Sequence, residues 1–319
     1  MTGAAPAFPS HVAVLGAGAV GCYYGGLLAL SGARVTLIGR PAHVDAITRD
    51  GLVIVRDGGE TRVRVAATTD DAAVRDADLV LFCVKSQDTE AAARAIAPHL
   101  RAEARLLAMQ NGVDNPARLA AAVPQPVHAA VVYVGTIVEG PGRVRHSGGG
   151  RLVIGTPREA RGRGDAAADL AAIAAAFERA GVPCAATDDV EAALWTKLVV
   201  NCAFNAVSAL GRSRYGRMAA SPPVRAVMED AVREAVAVAR ADGVKLDQSA
   251  LIANVWDVAK AMAGQHSSTA QDVMRGRPTE IDALNGYVLR RGEELGVAVP
   301  VNRTLHALVK LLEAAPGAQ

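Results

Sequence analysis

HVAVLGAGAVGCYYGGLLALSGARVTLIGR (11–40) is the stretch that decides the fold. His11–Leu15 is a short apolar strand running straight into Gly16-Ala17-Gly18-Ala19-Val20-Gly21. An apolar, Ala-rich helix follows and stops at Ser31-Gly32, where glycine suits the left-handed position past a helix end. Arg34–Ile38 reads as a second strand and completes a βαβ unit, with GxGxxG in the context that dinucleotide binding requires. In that reading Gly16 permits the tight turn and Gly18 lets backbone N–H groups approach a pyrophosphate. Gly21 lets helix and strand pack closely, and the helix N-terminus offers its dipole to the phosphates. The end of the second strand bears on cofactor choice. An Asp or Glu there would accept hydrogen bonds from a ribose 2′-hydroxyl, whereas Arg accommodates a 2′-phosphate. Here Ile38-Gly39-Arg40 carries no carboxylate until Asp45, so Arg40 favours NADP(H). The alternative, Arg40 as a solvated loop residue, stays open. Lys85, at the end of the apolar strand Leu79–Val84, is a second cation on the same carboxyl edge of the sheet.

A chain of 319 residues suggests two domains. Its 51% hydrophobic content with 21% charged residues describes a soluble globular protein, and with only 3% aromatics the core must be Ala, Val and Leu. A net charge of +2 argues against a nucleic-acid or membrane-surface partner. No membrane span is expected, because the first apolar run, from His11, reads as a strand leading into glycines. MTGAAPAFPSHVAVLG lacks a basic leader, so the expected location is cytoplasmic. Cys22, Cys83, Cys184 and Cys202 form no CxxC and read as buried hydrophobes in a reducing compartment. The histidines form no HxxxH or Cys/His cluster, so no metal is expected.

Further along, Leu52–Arg56 and Thr61–Val65 flank Asp57-Gly58-Gly59-Glu60 and read as an inserted β-hairpin. The parallel pattern resumes at Leu79–Val84 and Arg105–Met109, the latter leading into Gln110-Asn111-Gly112. Asn111 stands where a nicotinamide or substrate would sit, although Asn-Gly is also an ordinary turn pair. Val127–Val138 and Arg151–Gly155 read as strands joined by the turn-rich EGPGRVRHSGGG, and a helix (165–180) and a last strand (182–186) close a domain of residues 1–187. From residue 188 to 319 the pattern is helical: 223–242, 247–264, about 268–274, 279–295 and 302–313 follow a first helix capped by Asp188 or Asp189. The fold class is therefore α/β, a Rossmann-type doubly wound domain followed by an all-helical one.

In that first helix, TKLVVNCAFNAVSAL (196–210) spaces Lys197, Asn201 and Asn205 four residues apart among apolar neighbours. Steps of four advance about 400°, so the three side chains share one face. Buried polar groups without partners cost roughly 1–3 kcal/mol each, so three in register read as the wall of a ligand site. Pairing with backbone of neighbouring elements is the plainer alternative. Ser268 and Glu280 likewise read as an N-cap and a first-turn acid.

With these segments in hand, the chain resembles the ketopantoate reductase (2-dehydropantoate 2-reductase) family along nearly its whole length. The resemblance rests on GAGAVG, VKSQDT, MQNG, TKLVVNCAFNAVSAL, SSTAQDVMRGRPTEIDALNG and GVAVPVNRTL. It implies NADPH-dependent reduction of ketopantoate to pantoate on the way to coenzyme A. It also implies Lys197 as catalytic lysine with Glu280 beside it, and Asn201, Asn205, Ser268 and Asn111 against the substrate. Arg40 and Lys85 would meet the 2′-phosphate, joining Gly16, Gly18 and Gly21 in the cofactor site, with Asn111 and Glu280 also reaching the cofactor. The expected partner is a small 2-oxo acid, and a homodimer is a permitted assembly. Two alternatives stand beside this reading: a reductase of the same build acting on another small 2-oxo acid, and an NADPH-binding sensor without chemistry.

Overall fold

The computed structural model describes residues 8–314. The N-terminal residues 1–7, part of the stretch read above as lacking a leader, lie outside them. The chain divides into two compact units, 1–110 with 114–190, and 111–113 with 191–319.

In the first unit the strands are β1 (His11–Leu15), β2 (Arg34–Ile38), β3 (Leu52–Arg56), β4 (Gly59–Val63), β5 (Ala66–Thr68), β6 (Leu79–Phe82), β7 (Arg105–Ala108), β8 (Val127–Gly140), β9 (Arg143–Gly155) and β10 (Cys184–Ala186). The helices are α1 (Ala19–Leu30), α2 (Pro41–Asp50), α3 (Thr89–Ile96), α4 (Asn115–Ala122) and α5 (Ala166–Arg179). All strands share one sheet in the order β4-β3-β9-β8-β7-β6-β1-β2-β5, with β10 paired to β9. The run from β5 through β2, β1, β6 and β7 to β8 is parallel throughout, the doubly wound order. Its central strands β1 and β6 are buried along their whole length, as parallel strands covered on both faces must be.

Leu15 lies opposite both Ile38 and Phe82, so the loops after β1, β2 and β6 leave from one carboxyl edge. The strand order reverses at β1, the switch point where such sheets bind ligands. Helix α1 is apolar on every side because it is covered on more than one. A methyl on Gly25 would meet Val14 and Leu37 of the parallel sheet at 2.9 and 3.0 Å, and one on Gly26 would meet Ile54 and Leu52 of β3 at 2.6 and 2.9 Å.

Two expectations need correction in this unit. The hairpin β3–β4 turns on Asp57-Gly58 alone, both with positive φ (52° and 77°), and Gly59 and Glu60 belong to the strand. The segment expected as a turn-rich joint is mostly β9, which pairs antiparallel with β8 from Arg143 onward. Only Pro141 and Gly142 turn the chain. Glycines 148–150 accommodate bulges, since a side chain on Gly149 would strike Tyr133 O at 2.5 Å.

The second unit is helical: α6 (Val190–Leu210), α7 (Tyr215–Ala219), α8 (Pro222–Ala241), α9 (Gln248–Ala261), α10 (Ser268–Met274), α11 (Asn285–Leu295) and α12 (Pro300–Glu313). Helix α6 is long and apolar enough to cross a membrane, but most of it is buried in its own unit. There Trp195, Leu198, Val199, Cys202, Ala203 and Phe204 pack with α8, α9 and α11. The helix expected over 279–295 is broken. A 3₁₀ turn at Ile281–Ala283 ends at Leu284, whose ψ of −106° cannot continue a helix, and α11 starts after it. The break follows from burial, because Ile281 and Leu284 drop into two different apolar clusters.

Candidate active site

The carboxyl edge of the first unit forms a cradle. Gly16 takes φ +106°, and a side chain there would lie 2.7 Å from the Cys83 carbonyl carbon, so only glycine lets β1 turn beneath the loop after β6. Gly16 and Ala17 donate their N–H groups to Ile38 O at 2.9 and 3.0 Å, and Gly18 donates to Gly16 O at 2.8 Å. Gly21 sits 2.2 Å, measured from an ideal Cβ, from Gly16 O, which holds α1 tight against the turn. Gly18 differs from both: nothing lies within 4 Å of the Cβ it lacks, and as N-cap it brings no side-chain acceptor to the first turn of α1. An open space facing uncapped helix amides fits a phosphate group. Arg40 is the N-cap of α2, exposed and without an ion pair among the described residues. Lys85 is exposed at the end of the loop after β6. Arg40 follows β2 and Lys85 follows β6, the two strands that flank β1 and its glycine loop.

Behind this edge VKSQDT and MQNG meet in a buried polar cluster that spacing did not reveal. Gln110 Nε2 donates to Thr89 Oγ1 at 2.7 Å, and Thr89 Oγ1 lies 2.9 Å from Asn115 Oδ1. Asn115 Nδ2 donates to Ser86 Oγ at 2.9 Å, and Arg118 donates to Ser86 O at 2.8 Å while pairing bidentately with Glu90 at 2.6 Å. Only the closeness of these two polar stretches to strand ends could have signalled it.

The second unit gathers three residues far apart in sequence. Lys197 Nζ donates to Asn111 Oδ1 at 2.9 Å, and Asn111 Nδ2 donates to Glu280 Oε2 at 3.2 Å. An ammonium only donates and a carboxylate only accepts, so this pairing fixes the orientation of the Asn111 amide. Lys197 keeps part of its surface accessible, yet burial around the ammonium lowers its pKa to about 8, against an opposing upward pull from the Glu280 charge. A lysine poised there can hold a proton near neutrality and give it up.

Asn201 and Asn205 continue the same face of α6. Asn201 is half-buried and Asn205 only 2% exposed, and neither side-chain amide hydrogen-bonds to another described residue. The plainer expectation, that the stripe is satisfied by neighbouring backbone, does not describe these two amides. Ser268 is exposed as the first residue of α10, and the N-cap is Ser267, whose Oγ accepts from Ala270 N at 3.0 Å. Ser267 Oγ also donates to Asn205 O at 3.3 Å, tying the start of α10 to the stripe. Asn285 donates to Cys202 O at 3.3 Å and to Asn302 Oδ1 at 2.9 Å, and Asn302 is held by Glu234 at 2.8 Å. Ser267, Asn285, Asn302 and Glu234 brace α6, and nothing in their spacing announced it. The cysteines are free, with Cys22, Cys184 and Cys202 buried and Cys83 half-buried. No cluster of potential metal ligands occurs among the described residues.

Comparison with known proteins agrees with this architecture. Residues 12–159 match the family model described as ketopantoate reductase PanE/ApbA, and 189–313 match its C-terminal counterpart. A 2-dehydropantoate 2-reductase of Halobacterium salinarum is 41% identical, covering 95% of this chain and 99% of the relative. One from Vibrio cholerae is 33% identical over 95% and 98%. The crystal structure of a PanE/ApbA family ketopantoate reductase from Ralstonia eutropha superposes with a TM-score of 0.87 at 50% identity, over 95% of this chain and 98% of that one. D-mandelate dehydrogenase with NADH and anilino(oxo)acetate superposes with a TM-score of 0.89 at 25% identity, over the same shares. Matched in both halves and along almost its full length, the chain belongs to the ketopantoate reductase family of oxidoreductases.

Proposed function

We propose that the protein reduces 2-dehydropantoate (ketopantoate) to pantoate with NADPH, the step that feeds pantothenate and coenzyme A synthesis. The observation that carries this reading is the Lys197–Asn111–Glu280 chain, with Asn201 and Asn205 continuing the Lys197 face of α6. Gly16, Gly18 and Gly21 would hold the pyrophosphate, and Arg40 and Lys85 the 2′-phosphate. Bound there, the reduced nicotinamide supplies a hydride to the keto carbon of the substrate.

The residues of the second unit manage the charge and the proton. As the carbonyl is reduced, negative charge develops on its oxygen, and the Lys197 ammonium stabilises that charge and donates a proton to it. Asn111 takes up one N–H of the ammonium and so aims the others. Glu280 keeps the ammonium charged against the pull of desolvation. The open amides of Asn201 and Asn205 orient the substrate oxygens, and Ser268, exposed beside them, binds the carboxylate.

The likeness to D-mandelate dehydrogenase motivates a second reading, in which the same machinery reduces another 2-oxo acid. The 41% identity to a 2-dehydropantoate 2-reductase, against 25% here, favours ketopantoate. Turnover of NADPH with ketopantoate, 2-oxoisovalerate, oxaloacetate and benzoylformate, compared as kcat/KM, separates them. Ketopantoate should lead, and a clear preference for another acid overturns the substrate assignment.

A further inference from the structure

The segment that carries Glu280 arrives from an exposed stretch, Arg275–Pro278, and is gripped on both sides by α12. Ahead of Glu280, Thr279 N donates to Glu313 Oε1 at 2.8 Å. Beyond it, Asp282 Oδ1 accepts from His306 Nε2 at 2.7 Å and Oδ2 from Lys310 Nζ at 2.9 Å. Lys310 also reaches Glu313 Oε2 at 3.0 Å, closing the frame, and Arg290 donates to the Asp282 carbonyl at 2.9 Å. Burial works against both carboxylates, yet hydrogen bonds from His306 and Lys310 hold Asp282, and those from Thr279 and Lys310 hold Glu313, below the usual carboxylate range. Ile281 packs with Leu305 and Val309 on the inner side. Apolar packing is non-directional and seats the turn without aiming it, whereas the polar frame constrains its direction.

We infer that Asp282 and Glu313 are positioning residues, which through Thr279, His306 and Lys310 aim the Glu280 carboxylate at Asn111 and thereby set the state of the Lys197 ammonium. The inference rests on the function proposed above. It gives α12, which touches none of the reacting atoms in that mechanism, a part in the proton transfer. The Asp282–Lys310 pair is exposed and contributes little to global stability, so Asp282→Asn should fold, while Glu313 is half-buried and Glu313→Gln is the milder change there.

The consequence is directional. Glu280 is the charged group that raises the pKa of Lys197 against burial. If the frame is loosened and Glu280 swings away, that pKa falls and reduction fails at lower pH than in wild type. Glu313→Ala and Asp282→Asn should lower kcat roughly ten- to a hundredfold, as small misplacements in active sites do. KM for NADPH should stay unchanged, and the alkaline limb of the kcat profile should move to lower pH. Glu313→Gln, which keeps an acceptor for Thr279 N, should restore most of both. A second readout is independent of turnover: the pKa of Lys197 followed by NMR of the ¹³C-methylated lysines, assigned with Lys197→Ala, in wild type and each variant. A lowered Lys197 pKa in Glu313→Ala and Asp282→Asn, recovered in Glu313→Gln, supports the inference. An unchanged Lys197 pKa in folded variants, whatever their melting temperature, overturns it. If wild type reduces no 2-oxo acid, the proposed function fails instead, and the NMR comparison still decides whether the frame sets the ammonium.

Discussion

Replacing Asn111 by alanine tests the chain of contacts at its centre. The substitution removes the acceptor 2.9 Å from the Lys197 ammonium and the donor 3.2 Å from Glu280. The first bond involves a full charge at an ordinary distance, for which about 1.5–3 kcal/mol is typical, while the second is at the long end and weaker. If the first bond holds the ammonium in its working direction, its whole worth is lost from the transition state. That corresponds to a fall in kcat of about 10- to 150-fold. Because the bond acts on the proton donor, the loss should appear in kcat. The assay is steady-state oxidation of NADPH against ketopantoate over a range of pH, with circular dichroism to confirm folding. A folded Asn111→Ala protein that keeps kcat within about twofold of wild type would refute the reasoning, since no 1.5 kcat-relevant kcal/mol could then reside in the bond.

Other outcomes follow from the same geometry. Gly21→Ala forces a methyl to within 2.2 Å of Gly16 O and should destabilise the first unit by about 1–3 kcal/mol or more, read from denaturant unfolding. Gly18→Ala meets nothing within 4 Å, so it should melt like wild type yet bind NADPH more weakly, which calorimetry measures. Arg40→Ala should leave the melting temperature unchanged and reduce the preference for NADPH over NADH about tenfold, judged from the two Michaelis constants. Lys197 must carry its proton to reduce a keto acid, so kcat for reduction should hold at neutral pH and decline as pH rises through about 8. The reverse oxidation should gain over the same interval.

The first unit was legible where local signals agree with the tertiary outcome. Strand, glycine loop, helix and strand over 11–40 each carry their own periodicity and stop signals, and the structure keeps them nearly residue for residue. What spacing could not supply was pairing between distant segments. The hairpin β3–β4 is inserted between α2 and β5, yet β3 joins the sheet through β9, some 90 residues on. Glycines 148–150 read locally as a loop because glycine disfavours strands, and pairing with β8 overrides that preference. At the site, the four-residue spacing of Lys197, Asn201 and Asn205 was visible because one helix carries it. The bridging part of Asn111 was not, because its two partners lie 86 and 169 residues away. The choice of Ser267 rather than Ser268 as helix cap turns on a single residue of register, which two adjacent serines cannot disclose.

The most direct test of the central claim, that Lys197 serves as proton donor in NADPH-dependent reduction of a 2-oxo acid, compares wild type with Lys197→Ala. Ketopantoate-dependent oxidation of NADPH is followed spectrophotometrically, and NADPH affinity is measured in parallel by calorimetry. Wild type should turn over, and Lys197→Ala should lose at least ~10²-fold in kcat while binding NADPH as before. Full turnover in the variant would contradict the assignment.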